Sequence, residues 1–169
     1  MGLSDELRRR NEAKQREIAN AGNQLVAWTR AISDVCNRVK DLLDDSLKRG
    51  VIRLSRSTGL FRDKGTGSSY QADTLQLSDG EDVIVVAPAS DHPAGAGRLD
   101  IANTANQSQP RYALTWHGGE EWVIAQVDRA GELVEPSLPL EKGSLEKALG
   151  ALLGLADSRI LDPNELRKG

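Results

Sequence analysis

RYALTWHGGEEWVIAQVDRAGELV, residues 111–134, decides the fold class of this chain. Tyr112, Leu114 and Trp116 alternate with Arg111, Ala113 and Thr115, and Trp122 to Val127 runs back after the reversal His117-Gly118-Gly119-Glu120. Asp128-Arg129-Ala130-Gly131 makes a second reversal before Leu133 and Val134. Period-two segments joined by reversals of a few residues are strands that pair with their sequence neighbours, and such pairs are antiparallel.

The same pattern recurs upstream. Val83 to Ala87 (VIVVA) is a continuous apolar strand stopped by Pro88, and Leu99 and Ile101 alternate with Arg98 and Asp100. Tyr70, Ala72 and Thr74, followed by Leu75 and Leu77, make an alternating strand with a slip of phase, closed by Ser78-Asp79-Gly80. Ile52 and Leu54 mark a further strand over 51–56, which brings the meander to six or seven strands. Downstream, Pro136 and Pro139 are expected to end the sheet. Ser144 is expected to cap a helix whose Leu145, Ala148, Leu149, Leu152, Leu153 and Ala156 fall on one face, suited to covering the sheet.

The first fifty residues have another period. No proline interrupts residues 3–48; Ser4 precedes the acidic turn Asp5-Glu6, and Gly50 follows the cationic Lys48-Arg49. These are the signals of one long helix. Ile18, Leu25, Ile32 and Val39 fall seven apart, and Ala21, Trp28, Val35 and Leu42 form a second row offset by three. Two rows in this relation are the a and d positions of a coiled-coil seam, and a β-branched a row favours two strands in parallel coils. Val26, Ala31, Cys36 and Leu43 widen the stripe, which is what a helix docked on its own sheet would show. Both a self-association seam and an internal docking face are therefore open at this point. The plan is α+β: a helical oligomerisation or docking arm over 1–49, an antiparallel β domain with a C-terminal helix over 50–162, and a polar tail over 163–169.

Composition narrows the function classes. Leu, Ile, Val and Phe make up about 24% of the 169 residues, above the level at which chains stay disordered, and the core must be aliphatic because aromatics reach only 4%. A single Cys excludes a disulfide scaffold, and no apolar run is long enough to span a membrane. The charged start lacks an apolar leader region, and Glu6 stands where myristoylation wants Ser or Thr, so a cytoplasmic location is expected. Net charge is −3, yet residues 1–64 carry +5 and residues 65–169 carry −8.

Part of that positive charge lies in KRGVIRLSRSTGLFRDK, residues 48–64. Arg49, Arg53, Arg56, Arg62 and Lys64 there could contact nucleic acid or another polyanion, with Phe61 available to stack. A pI near 5.5 and the lack of any nucleic-acid motif favour instead a solvated face, or charge pairing with an acidic region or subunit. The Gly-rich DKGTGSSY (63–70) lacks the order of a phosphate-binding loop and reads as a flexible connection. The proline-containing stretch 88–110 reads as irregular and mobile.

His92, beside Asp91, and His117, beside Glu120, could form a metal or acid–base site if their loops met. Their spacing does not require that, and no recognised catalytic pattern is present. Cys36 has no histidine near it in sequence and reads as a buried hydrophobe. The expectation is a non-catalytic interaction or assembly protein without metal or cofactor, dimeric through its N-terminal helix and with a further protein partner; nucleic-acid binding and a small enzyme are the alternatives.

Overall fold

A computed structural model describes residues 2–89 and 92–155, apart from the side chains of Ile18 and Ala21 and the surroundings of Gly95. It shows the α+β plan expected from the sequence. α1 (Leu3–Leu42) is followed by a short α2 (Asp44–Lys48). Seven strands come next: β1 (Arg53–Arg62), β2 (Ser69–Ser78), β3 (Val83–Pro88), β4 (Arg98–Asn103), β5 (Arg111–Trp116), β6 (Trp122–Val127) and β7 (Leu133–Pro139). α3 (Lys142–Leu152) closes the described chain. Every strand pairs antiparallel with the next, in the order β1 to β7. Among the described residues no helix is long and apolar enough to cross a membrane.

α1 spans 40 residues, about 60 Å at 1.5 Å per residue, and its two halves differ. The described side chains of residues 3–24 are all exposed. From Leu25 onward the apolar stripe turns inward, and Trp28, Ile32, Val35, Val39 and Leu43 are buried. Those five meet Leu75, Leu77, Ile84, Val86, Leu99, Ile101, Leu114, Trp122 and Ile124 from the sheet, with Leu145, Leu149 and Leu152 from α3, in one core cluster. A single hydrophobic cluster thus takes in side chains from both sides of position 50. Leu25 and Leu42 flank it, partly buried.

Several boundaries differ from expectation, each for a physical reason. α1 begins from Gly2 rather than a Ser4 cap, and the helical run is interrupted at Leu43, whose φ of −99° and ψ of 10° leave the helical region. Gly50 does terminate α2: its φ of +71° lets Gly50 N–H reach Leu47 C=O and Val51 N–H reach Ser46 C=O. Ser144 is not the N-cap of α3. Glu141 holds that position, and Ser144, one turn in, accepts the Glu141 N–H at 3.0 Å.

The sheet does not end at Pro136. β7 runs through Pro136 and Pro139, pairing Val123 with Pro139 and Val127 with Leu133 around an irregularity between Ile124 and Gln126. β7 is an edge strand, so the missing N–H groups cost no partner on its open side.

β1 extends to Arg62, well past residue 56, in unbroken register with β2. The phase slip in β2 is therefore not a bulge. Leu54, Leu75 and Leu77 of one face, and Phe61, Tyr70 and Ala72 of the other, all pack into the same core. The twist of a long two-stranded ribbon turns its faces over along its length.

Trp28 should separate the two halves of α1. Trp28→Ala is expected to cost about 3–5 kcal/mol, whereas removal of residues 2–22 should leave the unfolding midpoint of the body nearly unchanged. Urea denaturation followed by tryptophan fluorescence measures both.

Candidate functional site

α1 is held on the sheet by aromatic packing at one end and by two arginines along its flanks. Trp28 lies 6.1 Å from Trp116 and 6.0 Å from Trp122, ring centre to ring centre. Its indole N–H donates to Tyr70 Oη at 3.3 Å, and Tyr70 in turn packs on Phe61 at 6.0 Å. Five of the six aromatic residues thus gather where the exposed half of the helix leaves the body. Arg56 of β1 pairs with Asp73 of β2 and donates to Asn37 Oδ1 at 2.6 Å and Ser33 Oγ at 2.9 Å on α1. From the other flank Arg38 donates to Glu120 C=O at 2.8 Å and to Leu140 C=O.

These contacts settle where the seam residues lie. Trp28, Ile32, Val35 and Val39 are in the core of their own chain, so the part of the seam they form is not open to a partner. Ile18 and Ala21 lie on the projecting half of α1. Among the described side chains of α1 the exposed large apolar ones are Leu3, Leu7 and Val26, two on the projecting half and one just past its end.

The basic stretch is divided. Arg56 is committed to Asp73 and α1, and Arg62 donates its Nε–H to Gly67 C=O at 3.2 Å. Arg49, Arg53, Arg62 and Lys64 are exposed. Among the described residues the Gly-rich connection is not a free loop. Asp63, only 5% exposed, accepts from Gly65 N–H at 3.1 Å, Thr66 Oγ–H at 2.7 Å and Ala94 N–H at 2.9 Å. The last bond ties the β1–β2 turn to a short 3-10 turn, Ala94–Ala96, before β4, so that part of the stretch 88–110 is built into the body. Gly97 ends that turn at φ +62°, and a Cβ there would stand 3.0 Å from Trp116 C=O.

The histidine loops come to one face of the sheet, and among the described residues they form no metal site. Arg98 and Thr115 are register partners on β4 and β5. His92 Nε2 stands 3.3 Å from the Arg98 guanidinium, and His117 Nε2 stands 3.3 Å from Thr115 Oγ1. Arg98 only donates, so His92 Nε2 accepts and the ring proton sits on Nδ1. That nitrogen is buried and has no hydrogen-bond partner among the described residues; Asp91 lies outside them. Arg98 is itself 8% exposed and further engages Asp100 Oδ1 at 2.9 Å and Gly131 C=O at 2.8 Å. The Glu120 backbone, meanwhile, is engaged by Arg38 on the α1 side. Among the described residues no three His, Cys, Asp or Glu side chains are placed to hold a metal ion. Two open grooves, one beside α2 and α3 and one over the β4–β5 and β6–β7 connections, are lined by neither histidine and not by Cys36.

Sequence reasoning missed Arg38, Asp63 and Arg98. Each stands in a local pattern that reads as a solvated charge, and each is recruited by a carbonyl or amide far away in the chain.

Two titrations follow from these contacts. Burial pushes the Asp63 carboxyl up, but the Ala94 amide, the Thr66 hydroxyl and the Gly65 and Thr66 amides together outweigh it, and the group ends below its ordinary value. Its stabilisation is therefore present above the unfolded carboxylate value of roughly 4 and is lost as pH falls through the lower folded value. The stability difference between the native protein and Asp63→Asn should shrink as pH is lowered from 7 towards 3, measured by denaturation at each pH. Burial pushes the Cys36 thiol up to about 11, with nearby Arg56 lowering it and Asp73 raising it. Maleimide labelling at pH 8 should run roughly a hundredfold or more slower in the folded protein than in the unfolded chain, and should speed up as urea lowers stability.

Compared with protein-family models, with curated proteins and with solved structures, the chain matches none of them.

Proposed function

We propose that this chain is a non-catalytic assembly protein that associates with a second copy of itself through the projecting half of α1. The observation that carries this reading is the exposure of every described side chain over residues 3–24 of a helix that continues unbroken into the core. A helix without tertiary contacts keeps only its intrahelical bonds, and most helical stability in proteins comes from packing an apolar face. Leu3, Leu7 and Val26 are exposed, and Ile18, Ala21 and Leu25 continue the two rows that are buried further along.

The charges of the projecting half alternate in sign along it, Asp5 and Glu6 before Arg8, Arg9 and Arg10, then Glu12 and Glu17 around Lys14 and Arg16, so they set no direction for the pair. The β-branched a row that speaks for a parallel pair has its Ile32 and Val39 in the core, so it does not bear on strand direction. A cytoplasmic setting belongs to the same reading, supported by the single cysteine, a buried free thiol.

Sedimentation equilibrium tests the proposal. The full chain should show twice the monomer mass, and a chain beginning at Leu25 should show the monomer mass while keeping its cooperative unfolding. A monomer for both chains rules the proposal out.

A further inference from the structure

Among the described residues the sheet has two open edges, and they are protected very differently. β7 carries Pro136 and Pro139 within seven residues and pairs irregularly with β6. Prolines and bulges are the usual means of keeping another chain from adding to an edge. β1 is ten residues long, contains no proline, pairs without interruption with β2 and, among the described residues, has no strand on its other side. α1 packs over β2 rather than β1, and Arg56 is what links β1 to the helix.

The side chains along this edge have a definite chemistry. Arg53 and Arg62 are exposed at its two ends, and Arg49 is exposed just before it. Leu60, an apolar residue 72% exposed, lies between them. The acidic groups nearby are already engaged, Asp73 by Arg56 and Asp63 by the amides and hydroxyl of its own turn and by Ala94. What faces an incoming strand is an unpaired backbone with positive charge at both ends. A second copy of β1 would bring its own arginines to this edge, where like charges oppose pairing.

We propose that the open edge of β1 is a docking site for an extended acidic segment of another protein, which joins the sheet as an additional strand. Main-chain hydrogen bonds supply affinity in this mode, and side-chain complementarity supplies selection. Here the selection is for carboxylates opposite Arg53 and Arg62 and an apolar side chain opposite Leu60. The site is separate from the α1 arm and does not depend on it.

The test uses the full chain and a fluorescent, end-capped decapeptide with Glu at both ends, Val at its third and eighth positions and Thr elsewhere, which in either strand direction sets Glu opposite Arg53 and Arg62 and Val opposite Leu60, beside the same peptide N-methylated at every amide. Anisotropy should show binding of the unmodified peptide, and amide shifts in isotope-labelled protein should concentrate at residues 53–62. N-methylation should weaken binding by more than roughly tenfold, because it keeps the charge and removes the donors. The double variant Arg53→Glu/Arg62→Glu should weaken it by a similar factor. The N-methyl comparison leaves the protein untouched, so it decides the matter even if the double variant fails to fold. No binding at about 1 mM peptide, equal affinity for both peptides, shifts centred elsewhere, or a protein dimer already joined through β1 would each overturn the proposal.

Discussion

The structure depends on one helix face covering one sheet face. Trp28, Ile32, Val35, Val39 and Leu43 stand on one side of α1 and its end, and they close the core formed by β2 to β6. Burying a side chain of this size contributes about 1.5–3 kcal/mol, and α3, at eleven residues, is too short to cover the sheet by itself. The arginines then fix where along the sheet the helix sits. Arg56 grips Ser33 and Asn37 from β1, while Arg38 grips the β5–β6 turn and the chain entering α3. Hydrophobic burial alone would tolerate some sliding, because it has no direction. These hydrogen bonds do not.

How much of this is legible in the sequence depends on whether the deciding contact is local. The meander is readable because alternation and tight reversals are properties of neighbouring residues. The face of α3 is readable for the same reason, although its cap lies three residues earlier, where Glu141 and Ser144 satisfy each other's end of the helix. The seam is ambiguous for a geometric reason. Over about three and a half heptads, periods of 3.5 and 3.6 residues drift apart by less than one side-chain position, so Ile32 and Val39 fit a coil or a sheet equally well. β7 is cut short in the sequence because prolines count against a strand in general, and only the finding that β7 is an edge removes the objection. Arg56, Asp63 and Arg98 cannot be told from surface charges there, since nothing in their own segments records the distant groups they meet.

The uneven charge of the chain also takes a spatial meaning. Arg56 belongs to the basic first part and Asp73 to the acidic remainder, and their pair joins β1 to β2. Lys142 and Asp45 make the converse pair at 3.1 Å, tying α3 to α2. The split is thus used partly inside the molecule, as stitching between early and late segments. The basic charge that stays outward includes Arg49, Arg53 and Arg62 around β1 and Arg8, Arg9, Arg10, Lys14 and Arg16 on α1, while exposed acids such as Glu81, Glu120, Glu121 and Asp128 lie on turns of the sheet.

α1 crosses from the core into solvent without a cap, kink or loop. Starting a helix is the costly step, since several residues must be ordered before the first bond forms, and extension afterwards is close to balanced. The docked half therefore serves as a permanent seed for the projecting half. The helical content of the first twenty residues is borrowed from tryptophan packing that begins at Trp28, and loosening that packing would melt a segment that never touches it.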